Sequence, residues 1–272
     1  MPDPIEDESI QGTTQGLEDS SGGAPRVQIP VEEADVVRKR RRKVLFWWAL
    51  FLITAGIFAY VYKRSNDPLE AQKSLDTAQR LFSLARYDQA VVACERAIGL
   101  RPNFAEAYML RGRAHLAAYE AERSISDFTK AIALRPNDIG TKLDRALAYI
   151  EMKQYSAAIA DADSALALDP DVSRAYNLRG TAVREMGDRQ RAVAEFSRAV
   201  ELEPNADNFI QRGATYQLLG EYDKALLDFT EAIRLDPEDA EVYFARAASE
   251  RALGQMKKAQ EDHDMGRYLD SR

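Results

Sequence analysis

Five arginines and five acids recur in step along the chain. Arg111, Arg145, Arg179, Arg212 and Arg246 are each followed, sixteen residues on, by Asp127, Asp161, Glu195, Asp228 and Asp262. A guanidinium is a planar fork of donors that matches a carboxylate. Such a row therefore suits one of two jobs: gripping the carboxylates of a ligand, or pairing with its own acids to tie neighbouring segments together. One step earlier in the series both places are vacant together, with Thr77 and Ala93 in them. Joint presence and joint absence favour internal pairing, since a partly buried arginine needs a partner.

The other reactive side chains are sparse. His115 and His263 have no cysteine or carboxylate at a recurring metal-ligand spacing, so neither a metal nor a cofactor is expected. Cys94, the lone cysteine, falls at a core position of the pattern described below and reads as a small apolar residue. No nucleophile elbow, phosphate-binding loop or dinucleotide glycine motif occurs. The chemistry to expect is recognition and not catalysis.

What positions the arginines is a repeat. Pro102, Pro136, Pro170, Pro204 and Pro237 are spaced 34, 34, 34 and 33 residues apart, each after an aliphatic and charged run such as AIALRP or AIRLDP. Regularity of this kind marks a repeat array. The units begin at Ala71, Ala105, Ile139, Ser173, Ala206 and Ala240, the fourth being one residue short near Asn205. Fourth in each stands Ser74, Tyr108, Lys142, Tyr176, Phe209 or Tyr243, and eighth Ala78, Gly112, Ala146, Gly180, Gly213 or Ala247. A large residue four places before a tiny one suits two closely crossing helices. Cys94, Phe128, Ala162, Phe196, Phe229 and His263 then lie on one face of a second helix, between small residues four before and three after. Gly187 and Gly220 stand in the turn between the helices, and the proline ends the second helix.

The order of aromatic, leucine and glycine, tyrosine, alanines, phenylalanine and proline resembles the tetratricopeptide repeat. That resemblance covers about three quarters of the chain and implies an all-α solenoid of six helix-turn-helix repeats: 71–104, 105–138, 139–172, 173–205, 206–239, and 240–272 with a polar terminal cap. It departs locally at Ser74 and Thr77, at the glycine-free YEAE turn of repeat two, and at His263. The resemblance also implies a partner surface on the first helices. Leu75, Phe82, Met109, Leu116, Leu143, Leu147 and Ile150 make the inner places apolar in repeats one to three. These residues suit a groove for an extended or helical peptide, and equally suit ordinary packing between helices. The clamp that grips chaperone carboxyl termini needs lysines and asparagines, where this chain has Leu75, Gln79, Leu110, Gly140 and Asp144. That activity is not expected.

Ahead of the array, residues 1–37 carry nine acids against Arg26 alone and no aromatic residue, the composition of a disordered acidic tail. A basic run, 38–43, precedes the apolar stretch VLFWWALFLITAGIFAYVY, 44–62, and a short linker and helix start, 63–70. Nineteen helical residues span about 28 Å, close to the roughly 30 Å hydrocarbon core of a bilayer. A single transmembrane helix is expected, with Trp47, Trp48, Tyr60 and Tyr62 at its interfaces. Six bases on the amino side against Lys63 and Arg64 put the amino terminus in the cytoplasm and the repeats outside it. In a bacterium that means an inner-membrane protein facing the periplasm; repeats in the cytosol are the alternative. From Ser65 onward, 28 bases meet 35 acids, which argues against a nucleic-acid ligand. The expected partners are proteins or peptides near a membrane, with self-association open. Scaffold, organelle-surface targeting receptor and accessory subunit of a membrane complex all fit that description.

Overall fold

A computed structural model describes residues 31–272, with side chains at 43–60 and 68–272. Its elements are α1 (Val31–Ser83), α2 (Tyr87–Leu100), α3 (Ala105–Ala117), α4 (Ala121–Leu134), α5 (Ile139–Glu151), α6 (Tyr155–Leu166), α7 (Ser173–Glu185), α8 (Arg189–Leu202), α9 (Ala206–Leu218), α10 (Tyr222–Leu235), α11 (Ala240–Ala252) and α12 (Met256–Asp270). Among the described residues there is no strand. The fold is the all-helical repeat solenoid that the 34-residue period predicts.

The chain divides into one unit up to Tyr60 and another from Val61. In the first, Lys43–Tyr60 has a mean hydropathy of 1.7 and none of it is buried. By length and composition this part of α1 can cross a membrane. Two boundaries differ from expectation. Residues 1–30 of the acidic tail lie outside the described residues, but 31–37 are already helical, and acids such as Glu32 and Glu33 suit the positive end of a helix dipole. The linker 63–70 is also helical, with Pro68 inside α1 and not at a helix start. A proline there costs a main-chain donor without forcing the helix to stop.

Within the second unit, first and second helices alternate from α1 and α2 onward. Each first helix from α3 touches the next first helix, whereas the second helices α4, α6, α8, α10 and α12 do not touch one another. The first helices therefore line the tighter, inner face.

Every helical hairpin turns in the same way. Ala85, Tyr119, Lys153, Gly187, Gly220 and Gly254 all have positive φ, between 54° and 96°. In each turn the next amide donates to the carbonyl five residues back, as in Arg86 to Leu81, Asp188 to Val183 and Gln255 to Glu250, at 2.9, 3.2 and 2.9 Å. This is the left-handed closure that glycine serves best. Three non-glycine residues adopt it at a cost of about 1 kcal/mol each, because the packing of both helices fixes the turn.

Inside a hairpin, the tiny residue and the phenylalanine meet. A Cβ on Gly112 would stand 2.7 Å from the Phe128 ring, and on Gly180 or Gly213 it would stand 3.0 Å from Phe196 or Phe229. Where the eighth residue is alanine, its opposite number is smaller or polar: Ala78 with Cys94, Ala146 with Ala162, Ala247 with His263. In repeat six Phe244 packs on Gly266 instead, at 2.7 Å from where a Cβ would sit, and stacks edge-on with His263. Gly112→Ala is therefore expected to destabilise the array by about 1–3 kcal/mol through overpacking, read as a lower urea midpoint.

The short linkage after repeat four is repaired by a side chain. Asn208, 3% exposed, donates through Nδ2 to the carbonyls of Ala199 and Glu203 and to Ser173 Oγ, at 3.3, 2.8 and 3.0 Å. It adds a side-chain cap to the end of α8 from within α9, on carbonyls that also accept the local amides of Glu203 and Asn205.

Candidate partner-binding surface

The arginine row lies in the array and its partners are internal. Each arginine forks onto the acid sixteen residues later: Arg111 on Asp127 at 2.9 and 2.6 Å, Arg145 on Asp161 at 2.8 and 2.7 Å, Arg212 on Asp228 at 2.9 and 2.7 Å, Arg246 on Asp262 at 2.6 and 2.8 Å. Arg179 gives two bonds to one oxygen of Glu195, at 3.0 and 2.7 Å. The fork joins the first and second helices of one repeat.

The remaining guanidinium nitrogen reaches back to the second helix of the preceding repeat. Arg145 Nη1 meets Thr129 at 2.9 Å, Arg179 meets Asp163 at 2.6 Å, Arg212 meets Ser197 at 3.4 Å, Arg246 meets Thr230 at 3.3 Å, and Arg111 stands 3.9 Å from Glu95. Each arginine also sits 5.3–5.8 Å from an aromatic ring, Tyr108, Tyr176, Phe209 or Tyr243 in the fourth place of its repeat. Repeat three has Lys142 there, and Arg145 stacks on Tyr149 instead. Hydrogen bonds to the acids, against a smaller opposing effect of burial, hold Arg111, Arg145, Arg212 and Arg246 above the ordinary arginine value. With the fork filled from within, no arginine of this row has its donors turned to a ligand.

The predicted groove residues separate into two sets. Leu143 is 2% exposed and belongs to the core with Ala146, Ala158 and Leu178, so it does not line a groove. Its place on α5 faces the helix of the next repeat instead of the inner surface. Leu75 is half-buried among core residues of repeats one and two. Met109 is also half-buried and lines neither of the cavities described next. Phe82, Leu116 and Leu147 are brought together with Ala117 in a cavity of about 410 Å³, rimmed by Arg113, Tyr119, Asp144 and Glu151. Leu147, Ile150 and Leu178 edge a second cavity of about 500 Å³, whose other walls are polar: Arg174, Asn177, Arg184 and Gln211 among them.

A three-residue bridge crosses this inner face. Asp144, 5% exposed, accepts from Arg113 Nε at 2.5 Å and from Arg174 Nη2 at 2.7 Å, linking first helices of repeats two, three and four. Sequence reasoning missed it because the three residues occupy different columns of successive repeats. The only available signal was a charged residue on the inner face of each of these helices.

The histidines and the cysteine are accounted for by packing. His115 is 8% exposed, with Nδ1 2.6 Å from Glu120 Oε2, and this contact draws the Glu120 carboxyl below its ordinary range. Burial pushes the Cys94 thiol up to about 12, so it stays protonated and unreactive. Among the described residues no group of three potential ligands is placed to hold a metal.

Glu250 takes the eleventh place of repeat six, where Tyr149 and Tyr216 stand in repeats three and five. It is 6% exposed, and its Oε2 has no hydrogen-bond partner among the described residues. Burial, with the nearby charge of Asp262, pushes its carboxyl up, and Arg246 only partly offsets this. A raised folded-state value means that folding favours the protonated form. Its contribution is present below the ordinary value of about 4.3 and is lost as pH rises through the raised value. Glu250→Gln is thus expected to stabilise the protein at pH 7 by about 1 kcal/mol, with the gain gone at about pH 4 in paired thermal melts.

Comparison with known families decides what these hairpins are. Models of the tetratricopeptide repeat match residues 75–139, 143–207 and 206–239, more than half of the chain. The chain belongs to the tetratricopeptide repeat family. No curated protein matches it. Among solved structures it is similar to TTC0263, a thermophilic TPR protein of Thermus thermophilus, at 23% identity, covering 67% of this chain and 98% of that one with a TM-score of 0.57. PilF of Pseudomonas aeruginosa is 16% identical, with 73% and 90% covered and a TM-score of 0.63. MamA from residue 41 of Desulfovibrio magneticus RS-1 is 21% identical, with 62% and 96% covered and a TM-score of 0.55. At such identities these likenesses show the tetratricopeptide fold alone. Tetratricopeptide arrays mediate protein–protein interactions, and scaffolding is the class of function the family carries.

Proposed function

We propose that the protein is a single-pass membrane scaffold whose six repeats recruit or assemble protein partners close to a bilayer. The observation that carries this reading is Lys43–Tyr60, an unburied apolar helical stretch in the same chain as a tetratricopeptide array. Leaving eighteen such residues in water would forfeit the transfer energy of most of their surface, about 1.5–3 kcal/mol for each large side chain. A bilayer recovers it. The cavity of Phe82, Leu116 and Leu147 is the partner-binding place, as an apolar patch rimmed by Arg113, Asp144 and Glu151. Recognition of peptides, not catalysis, is the work assigned to it.

The basic run 38–43 puts the amino terminus on the cytoplasmic side and the repeats across the membrane, facing the periplasm if the cell is bacterial. A reporter fused after Arg272, combined with protease access in sealed vesicles, tests this directly. A reporter outside the cytoplasm supports the envelope scaffold. A cytosolic one replaces it with a targeting receptor, and recovery in the soluble fraction removes the anchor. Stoichiometric co-purification with an integral protein in mild detergent would make it an accessory subunit.

A further inference from the structure

We infer that the inner face of repeats one to three takes a peptide segment in which an apolar side chain is neighboured by lysine or arginine. This rests on the reading of that face as the partner site and specifies what it selects. Two cavities adjoin at the turn edge of that face and share Tyr119 and Glu151: the apolar one of Phe82, Leu116 and Leu147, and one of about 780 Å³ formed by the turns of repeats two and three with Glu120, Glu122, Arg123 and Met152. The first has the walls to bury one aliphatic or aromatic side chain. The second is acidic once its internal pairs are subtracted. Glu120 is held by Arg123 and His115, whereas Glu122 and Glu151 are exposed and form no ion pair among the described residues. The two arginines lining these cavities each hold an acid, Arg113 on Asp144 and Arg123 on Glu120. A cationic peptide finds two exposed carboxylates free of ion pairs, whereas an anionic one would have to share arginines that already hold acids.

Tyr119 supplies the aromatic face. It is 92% exposed and holds φ +62°, so a bulky ring is displayed at a turn position where glycine would relieve the backbone. A lysine or arginine beside the buried apolar side chain would lie between this ring and Glu151, with cation–π and ion-pair contacts made together. Desolvation pushes the Glu151 carboxyl up, and a bound cation would reverse that cost.

The test uses the full chain in mild detergent and three fluorescein-labelled short peptides on a common Gly-Ser backbone. They carry leucines flanked by lysine, by glutamate or by serine, and binding is read by anisotropy. The lysine peptide is expected to bind about tenfold or more tightly than the glutamate peptide, and the difference should shrink in high salt. A double variant, Glu122→Gln with Glu151→Gln, should abolish the preference without lowering the melting temperature. Leu116→Ser should weaken the lysine peptide whatever its charge contacts. Equal binding of all three peptides, still weakened by Leu116→Ser, overturns the charge inference and leaves the groove standing. Tighter binding of the glutamate peptide overturns it in favour of an arginine-based site. If none binds, the groove reading and the inference fall together.

Discussion

Phe196→Ala is expected to cost about 3–5 kcal/mol, the upper range for a core aromatic. The ring is fully buried against Val183, Ala192 and Ile159, and Arg184 covers it at 5.6 Å. Facing it is Gly180, with no side chain to swing into the space, so the cavity cannot collapse. Repeat three shows what the same junction looks like when it closes on small residues: Ala146 and Ala162 are both fully buried there. The double variant Phe196→Ala with Gly180→Ala is accordingly expected to recover about 1 kcal/mol, roughly one buried methyl group. Urea unfolding followed by circular dichroism at 222 nm checks both, with hydrogen exchange reporting whether α7 and α8 open first. A loss below about 1 kcal/mol, or no recovery in the double variant, would show that the glycine–phenylalanine junction does not limit packing.

Arg179→Ala is the second large effect, expected at about 2–4 kcal/mol. Burial works against this charge, and hydrogen bonds to Glu195 and Asp163 outweigh it, holding the guanidinium above its ordinary value. Its side chain is 19% exposed and that of Glu195 11%, so truncation strands a nearly buried carboxylate. Arg179→Lys keeps the charge but loses the fork and the stacking on Tyr176, and should fall between wild type and alanine. Replacing Arg179 and Glu195 together by leucine should restore much of the loss, because the penalty is the unpaired partner and not the missing bond. Affinity for the lysine-flanked peptide should stay within about twofold in Arg179→Lys. Unchanged melting with abolished peptide binding would instead make the arginines a ligand row.

Much of this was legible because it is periodic. The 34-residue spacing gave the hairpins and their number, and the shared vacancy at Thr77 and Ala93 pointed to the arginine pairing before any geometry was available. Features without a repeating residue signature were not legible. The left-handed turns at Ala85, Tyr119 and Lys153 carry no glycine, so local residue preference hides a conformation that the flanking helices impose. Leu143 looked like its groove neighbours because periodicity reports a helical face, not whether a neighbouring repeat covers it. Asp144 with Arg113 and Arg174 joins three columns that have no common period. The exposed Tyr119 beside Glu151 depends on the same kind of cross-repeat neighbourhood.

The arginines also decide where this molecule can be cut and rejoined. The forks of this row lie within a repeat, while a single nitrogen of each arginine crosses a border, so exchange of whole repeats leaves every fork intact. Not all borders are alike. At the joints before repeats three and six the arginine's crossing partner is a threonine hydroxyl, which another repeat can supply from many residues, though the Arg113–Asp144 pair also crosses the joint before repeat three. At the joint before repeat four it is the charged Asp163, and at the joint before repeat five the Asn208 cap depends on carbonyls from the other side. Chimeras built by transplanting repeats should tolerate the seam before repeat six best and reject those before repeats four and five unless the matching side chain travels with its donor.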